Sequence, residues 1–306
     1  MSSMNRGTGM FELRRLRLLH ELALRGTIAE VAASLSYSPS TVSQQLSLLE
    51  REAGVALLEP DGRRVRLTPQ GRMLAEHAAR ALELDEAARA ALAAHAGWET
   101  VRLSAMPTAA ETIVPAALTV LAERAPGLRV ELAELPPEES LFELWARRFD
   151  LVIAEQYPGH TRELRDGVVH DLLGEDPIRI VLPPAERPTP LPDLRDRAWV
   201  MEPEGTAARQ WAVQQCRAAG FEPDIRYEAA DLTAHVRLVA SGHAVGMLPD
   251  LIWGDEPSPL TVAELPGSPV REVFTAVRAS SRADESVALV RTALREAFTA
   301  HHRVAP

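Results

Sequence analysis

From about position 11 to 96, apolar residues recur three and four apart, the period of helices that bury one face. Leu13, Leu16, Leu19, Leu22 and Ala23 share a face of a first helix from Phe11 to Ala23. Ile28, Val31, Ala32 and Leu35 repeat the pattern in a second helix. Thr27 with Glu30 opens it, a pairing in which hydroxyl and carboxylate satisfy first-turn amides. Ser36-Tyr37-Ser38 breaks the run, Ser38 is suited to cap, and Pro39 fits the first helical position, where no amide is needed. The next helix turns Val42, Leu46 and Leu49 inward and leaves Ser40, Thr41, Ser43, Gln44, Gln45 and Ser47 outside. Short, polar, nearly uncharged side chains suit base edges and phosphates in a major groove. The pattern predicts a helix-turn-helix whose second helix does the recognition.

Gly54 ends that helix, and two short runs, Ala56 to Glu59 and Arg64 to Leu67, flank the turn Pro60-Asp61-Gly62-Arg63. In this predicted wing Arg63, Arg64 and Arg66 project toward phosphate or the minor groove. Arg14, Arg15 and Arg17 offer either a solvated basic face or further phosphate contacts. Thr68-Pro69 caps a long helix to about Ala96, with Leu74, Ala81, Leu84, Ala88 and Ala91 near heptad spacing. So thin a stripe needs cover, from a partner helix or from the rest of the chain.

After Gly97 the period changes. Short strands alternate with helices: Val101–Leu103, Thr108–Arg124, Leu128–Leu132, Glu138–Arg148 and Leu151–Ala154. Further strands are expected at Ile178–Leu182, Ala198–Met201, Ile225–Ala229, Ala244–Leu248 and Val270–Val277, with a last helix from Asp284 to His301. Such alternation predicts an α/β sheet with parallel pairing. Thr108 with Glu111 forms a second predicted capping box at a strand's carboxyl end.

The 306 residues suffice for two or more domains, and 46% hydrophobic with 25% charged residues is an ordinary globular composition. The net charge of −10 is unevenly divided: residues 1–68 carry nine Arg against seven acidic residues, about +2, leaving about −12 beyond them. Only the N-terminal module therefore suits nucleic acid. One cysteine excludes an internal disulfide framework, and no apolar run approaches a membrane span, so a cytoplasmic protein is expected, with Met10 a candidate start.

The stretch Ala32-Ala33, Ser38-Pro39, Val42-Ser43-Gln44-Gln45-Leu46, Leu49-Glu50, then Gly54-Val55 through Leu67-Thr68, resembles the LysR-type transcriptional regulators. Phe149 to Ile153 and Val239 to Pro249 resemble their effector domain, which is similar to periplasmic binding proteins of type II. Two departures stand out: the family's wing Phe-Glu-Arg is Leu58-Glu59-Pro60, and the basic residue that often follows the helix serine is Gln44. The resemblance implies a mainly α winged helix-turn-helix over 10–68, a linker helix over 69–97, and a two-lobed α/β effector domain over 98–306. Lobe I would take about 98–167 and 270–306, and lobe II about 168–269. Double-stranded promoter DNA with a roughly palindromic site is the implied partner, contacted by Thr27, Ser38, Pro39, Ser40, Thr41, Ser43, Gln44, Gln45, Arg63, Arg64 and Arg66. A homodimer through the linker helix, assembling further into a tetramer, is also implied.

The same resemblance places a small-molecule effector between the lobes. Its contacts would be Ala105, Met106, Pro107, Thr108, Ala154, Glu155, Glu202, Gly205, Thr206, Gly246 and Met247. Thr108 and Thr206 read equally as helix caps or as a polar clamp. No catalytic set, metal site or cofactor motif is evident: Cys216 has no histidine at a fixed offset, and no Walker or dinucleotide glycine pattern occurs. The competing reading is a binding protein or enzyme whose helical module serves only assembly.

Overall fold

In the computed structural model, residues 10–35, 37–62, 64–96, 99–160, 167–254 and 256–304 are described. They form two compact units, one ending with the long helix and one from the following strand onward.

The first unit opens with α1 (Leu13–Arg25), α2 (Ile28–Ser34) and α3 (Pro39–Ala53). Leu16, Leu19, Leu22, Val31, Val42, Leu46 and Leu49 meet in one core, so the helical period places the faces as expected. Gly26 and Gly54 end α1 and α3 in the left-handed region that glycine enters without strain. Strands β1 (Leu58–Asp61) and β2 (Arg64–Leu67) pair antiparallel as the wing. The turn is shorter than expected, because Pro60 and Asp61 still pair with Val65 and Arg64.

Helix α4 (Pro69–Ala96) follows, capped by Thr68, whose hydroxyl accepts from the Gly71 amide at 3.0 Å. Its first half packs on α1 through Ala75 and Ala78. Beyond that point Leu84 of the predicted stripe, and Leu92 outside it, remain 74% and 72% exposed within the chain. Gly97, expected to close the helix, lies outside the described residues.

The second unit begins with β3 (Glu99–Ala105), α5 (Pro107–Glu111), α6 (Ile113–Arg124), β4 (Leu128–Glu134), α7 (Pro137–Trp145) and β5 (Leu151–Gln156). Strand β3 lies parallel to both β4 and β5. Strand β5 is buried on both faces: Leu151 and Ile153 join one core, Val152 and Ala154 another. The expectation of parallel pairing fails for the remainder of this sheet. β6 (Val168–Leu182) and β11 (Val270–Arg278) are long, antiparallel to each other, and complete it as a mixed sheet.

Strand β6 builds the passage between lobes. Its first part, to Pro177, pairs with β11 in lobe I, and Ile178 to Leu182 pair with β9 (Gly246–Pro249) and β10 (Thr261–Glu264) in lobe II. The change of pairing partner on β6 thus falls between Pro177 and Ile178. Pro177 stands where the pairing partner changes, a position that tolerates a missing amide. Gly174 is required on this strand, since a Cβ would come within 2.2 Å of Phe298 on α10 (Glu285–Val304). Lobe II also holds β7 (Ala198–Met201), α8 (Ala207–Ala218), β8 (Asp224–Glu228) and α9 (Leu232–Ala240), with β7 parallel to β8. Trp199, Trp211 and Cys216 lie in its core. Among the described residues no helix is long and apolar enough to cross a membrane.

Candidate nucleic-acid interface and effector cleft

Local hydrogen bonding presents the polar face of α3. Ser38 caps the helix by accepting from the Thr41 amide at 3.1 Å, and its hydroxyl lies 2.8 Å from those of Ser40 and Thr41. Ser40, Ser43 and Gln44 are exposed. Gln45 is committed elsewhere: its Oε1 accepts from Arg15 Nε at 3.1 Å, and Arg15 also pairs with Glu12 and Glu52. Arg15 thus braces α3 from within the unit, and Arg14 lies over the Tyr37 ring, 4.8 Å from its centroid. Thr27 caps α2 by accepting from the Glu30 amide at 3.2 Å, while its hydroxyl donates to the Glu30 carboxylate.

The wing is tied to the same helix. Glu50 Oε1 accepts from the amides of Leu57 and Leu58, both at 2.9 Å. Glu50, marked in the sequence only as part of the Leu49-Glu50 motif, is therefore the strut between α3 and β1. Arg64 and Arg66 are exposed, and Arg66 pairs with Glu59 across the hairpin at 2.9 Å, a surface contact of small energy. Arg63 lies outside the described residues.

At the lobe junction the structure gathers Thr108, Glu155, Glu202, Thr206 and Met247 around residues that sequence reasoning missed. Arg271, 3% exposed on β11, donates to Asp176 on β6 at 2.9 Å through Nε and to Thr108 Oγ1 at 2.8 Å through Nη2. Asp176 is fully buried and accepts the Leu251 amide at 2.9 Å through its second oxygen. Burial opposes the Arg271 charge, but the Asp176 carboxylate and its neighbours outweigh that and hold the pKa above the ordinary range.

Thr108 is thereby corrected. Pro107 takes the first helical position of α5 and moves the cap to Met106, so the expected box with Glu111 does not form. Thr206 does cap α8, accepting from the Arg209 amide at 3.2 Å. Ala105 and Met106 pack in one lobe I core and Ala154 in the other. Pro107 is partly buried at the start of α5, Gly205 adopts φ 95° just before the α8 cap, and Gly246 is buried beside Val181 and Val200.

Glu202 is the perturbed carboxyl of the junction. Burial, then repulsion from the Glu155 carboxylate, pushes its pKa up to about 7. Tyr157 lines the same cavity as Glu202; burial is the main cause of its raised pKa, and the phenol stays protonated. Tyr157, Glu202, Trp211, His235 and Met247 line a narrow cavity in lobe II. Among the described residues no group of acidic, histidine or cysteine side chains could hold a metal ion.

With this geometry in view, the comparisons with known proteins agree on one family. Residues 13–72 match the model of the bacterial regulatory helix-turn-helix protein, lysR family, and residues 96–299 match the LysR substrate binding domain. A probable hydrogen peroxide-inducible genes activator of Mycobacterium avium is 30% identical, covering 94% of this chain and 95% of its own. The transcriptional dual regulator GltC of Bacillus subtilis is 28% identical over 82% of this chain and 85% of its own. Among solved structures, a full-length OxyR variant from Pseudomonas aeruginosa shares the fold with a TM-score of 0.63 at 22% identity, covering 94% of this chain and 98% of its own. Full-length CbnR in complex with its target DNA gives 0.53 at 22% identity, covering 94% and 100%. The chain belongs to the LysR family of bacterial helix-turn-helix transcriptional regulators, a DNA-binding module followed by a substrate-binding domain.

Proposed function

We propose that this regulator reads its promoter site through Ser40, Ser43 and Gln44 and clamps the flanking backbone with Arg64 and Arg66. The observation that carries this reading is the exposed, uncharged face of α3, capped by Ser38 and joined to the wing through Glu50. Thr27, Ser38, Pro39 and Thr41 sit at the helix starts, where amides and hydroxyls meet phosphates. Gln45 and Arg15 act as positioning residues. The exposed Leu84 and Leu92 of α4 support pairing of two linker helices, which would present two recognition helices to an inverted repeat. A tetramer follows from joining such dimers through their effector domains.

A small molecule bound between the lobes then shifts the population of assembly geometries, without any catalytic step on our reading. Several curated relatives carry peroxide-inducible names. The one cysteine of this sequence, Cys216, is buried in the lobe II core, and burial above all, then the Glu222 carboxylate, pushes its thiol up to about 12. Thiolate chemistry needs the opposite environment, so a non-covalent effector is the reading we favour.

The division of labour on DNA is testable by binding titrations across salt concentrations. Arg64→Ala or Arg66→Ala weakens every sequence alike and lowers the salt slope by about 1 each. Ser43→Ala or Gln44→Ala instead changes sequence preference, by about 1–3 kcal/mol at the affected base pair. Equal losses from both classes on every sequence would refute the assignment.

A further inference from the structure

Given an effector at the lobe junction, a reading on which this inference rests, the lobe II cavity indicates what chemical group it takes. The cavity measures about 20 Å³, room for one water-sized group. His235 in its wall is 2% exposed. Its Nε2 lies 2.8 Å from the Ala229 carbonyl, which can only accept, so that nitrogen carries the proton. Nδ1 is then a bare acceptor with no hydrogen-bond partner among the described residues. Burial lowers the histidine pKa, keeping the ring neutral and the acceptor available. A buried acceptor of this kind calls for a donor.

The surrounding groups specify the donor's charge. Tyr157 and Trp211 present ring surfaces with centroids 5.6 Å apart, and such faces attract cations. Of the two arginines here, Arg209 lines the cavity itself, and both already have partners. Arg271 lies on Asp176, and Arg209 donates to the Glu202 carbonyl at 2.9 Å with the Glu228 carboxylate 3.7 Å away. The Glu202 carboxyl lines the same cavity, repelled by Glu155 and Glu138 and attracted by Arg271, with the Thr206 hydroxyl as a hydrogen-bond partner. The acceptors, the two rings and Arg209 thus share the lining of one cavity.

We propose that the effector carries a protonated primary amine whose ammonium group is seated in this cavity. Its N–H donates to His235 Nδ1, its charge faces Glu202, and the Tyr157 and Trp211 rings flank it. A carboxylate in the same place would meet Glu202 and a ring nitrogen that cannot donate to it.

The test is calorimetric titration and thermal unfolding of the full-length protein with n-propyl- to n-hexylammonium and agmatine. Chain-matched alcohols and carboxylates serve as comparators. The amines are expected to bind and raise the unfolding temperature, with the alcohols and carboxylates at least tenfold weaker. Glu202→Gln, which keeps the side chain's shape and removes a charge that burial already disfavours, weakens the amines tenfold or more, while Glu202→Asp retains binding. Parental affinity in Glu202→Gln, equal binding of alcohols, preference for carboxylates, or no amine binding up to tens of millimolar would each overturn the proposal. Such a failure leaves the regulator reading standing, since that is judged on DNA alone.

Discussion

Arg271→Ala is expected to destabilise the C-terminal unit by about 3–5 kcal/mol, the cost of leaving one charge of a buried pair uncompensated. Asp176 is fully buried, and after the substitution it would keep only the Leu251 amide. Thr108 would lose its donor at the same time. The pair also joins β6 to β11 at the passage between lobes, so the loss falls where both lobes depend on it. Urea unfolding of the full-length protein, followed by tryptophan fluorescence, measures the effect, because four of the five tryptophans lie in the C-terminal unit's described elements and the 3-10 turn after Pro249. Replacing Asp176 and Arg271 together by apolar residues should cost much less than the single change, the sign of coupling in a double-mutant cycle. A single-variant loss below about 1 kcal/mol would mean that water reaches the pair.

Gly71→Ala should destabilise the N-terminal unit by about 1–3 kcal/mol, although alanine is the better helix former by about 1 kcal/mol. The reason is backbone contact. A Cβ at residue 71 would come within 2.1 Å of the Leu57 carbonyl oxygen and 3.0 Å of its carbon. That carbonyl also accepts from the Thr68 amide at 2.9 Å, so the start of α4 and the entry to the wing cannot separate without losing the bond. The added methyl therefore moves β1 relative to α3, and DNA affinity measured on fully folded protein should fall with the wing's contacts. Parental stability in Gly71→Ala would show that the segment yields more easily than the close approach indicates.

The N-terminal unit was legible because its determinants are local. Thr27, Ser38 and Pro39 mark helix starts within a few residues, and Val42, Leu46 and Leu49 keep a strict helical period; all take their expected places. The strut from Glu50 was not, since its carboxylate serves amides seven and eight residues on, in the next element. The residues proposed for the effector cleft came only through the family resemblance. Arg271 reaches Asp176 and Thr108 across 95 and 163 residues, and no period links such positions. Strand β6 was recognised only from Ile178, because Asp171, Gly174, Glu175, Asp176 and Pro177 break every strand rule, and they do so where the chain passes between lobes. Thr108 looked like a cap until Pro107 beside it proved to start the helix. Helix starts and core faces of the N-terminal unit were read from local pattern, whereas contacts between distant strands, such as Arg271 with Asp176, left no such trace.

The central claim, a DNA-binding regulator with a specific site, is tested most directly by selection of genomic fragments with the purified full-length protein at two salt concentrations. The account predicts recovery of a few fragments sharing an inverted repeat, with half-sites separated by whole helical turns and affinity falling steeply with salt. Recovery of no fragment above background by folded, oligomeric protein would contradict it.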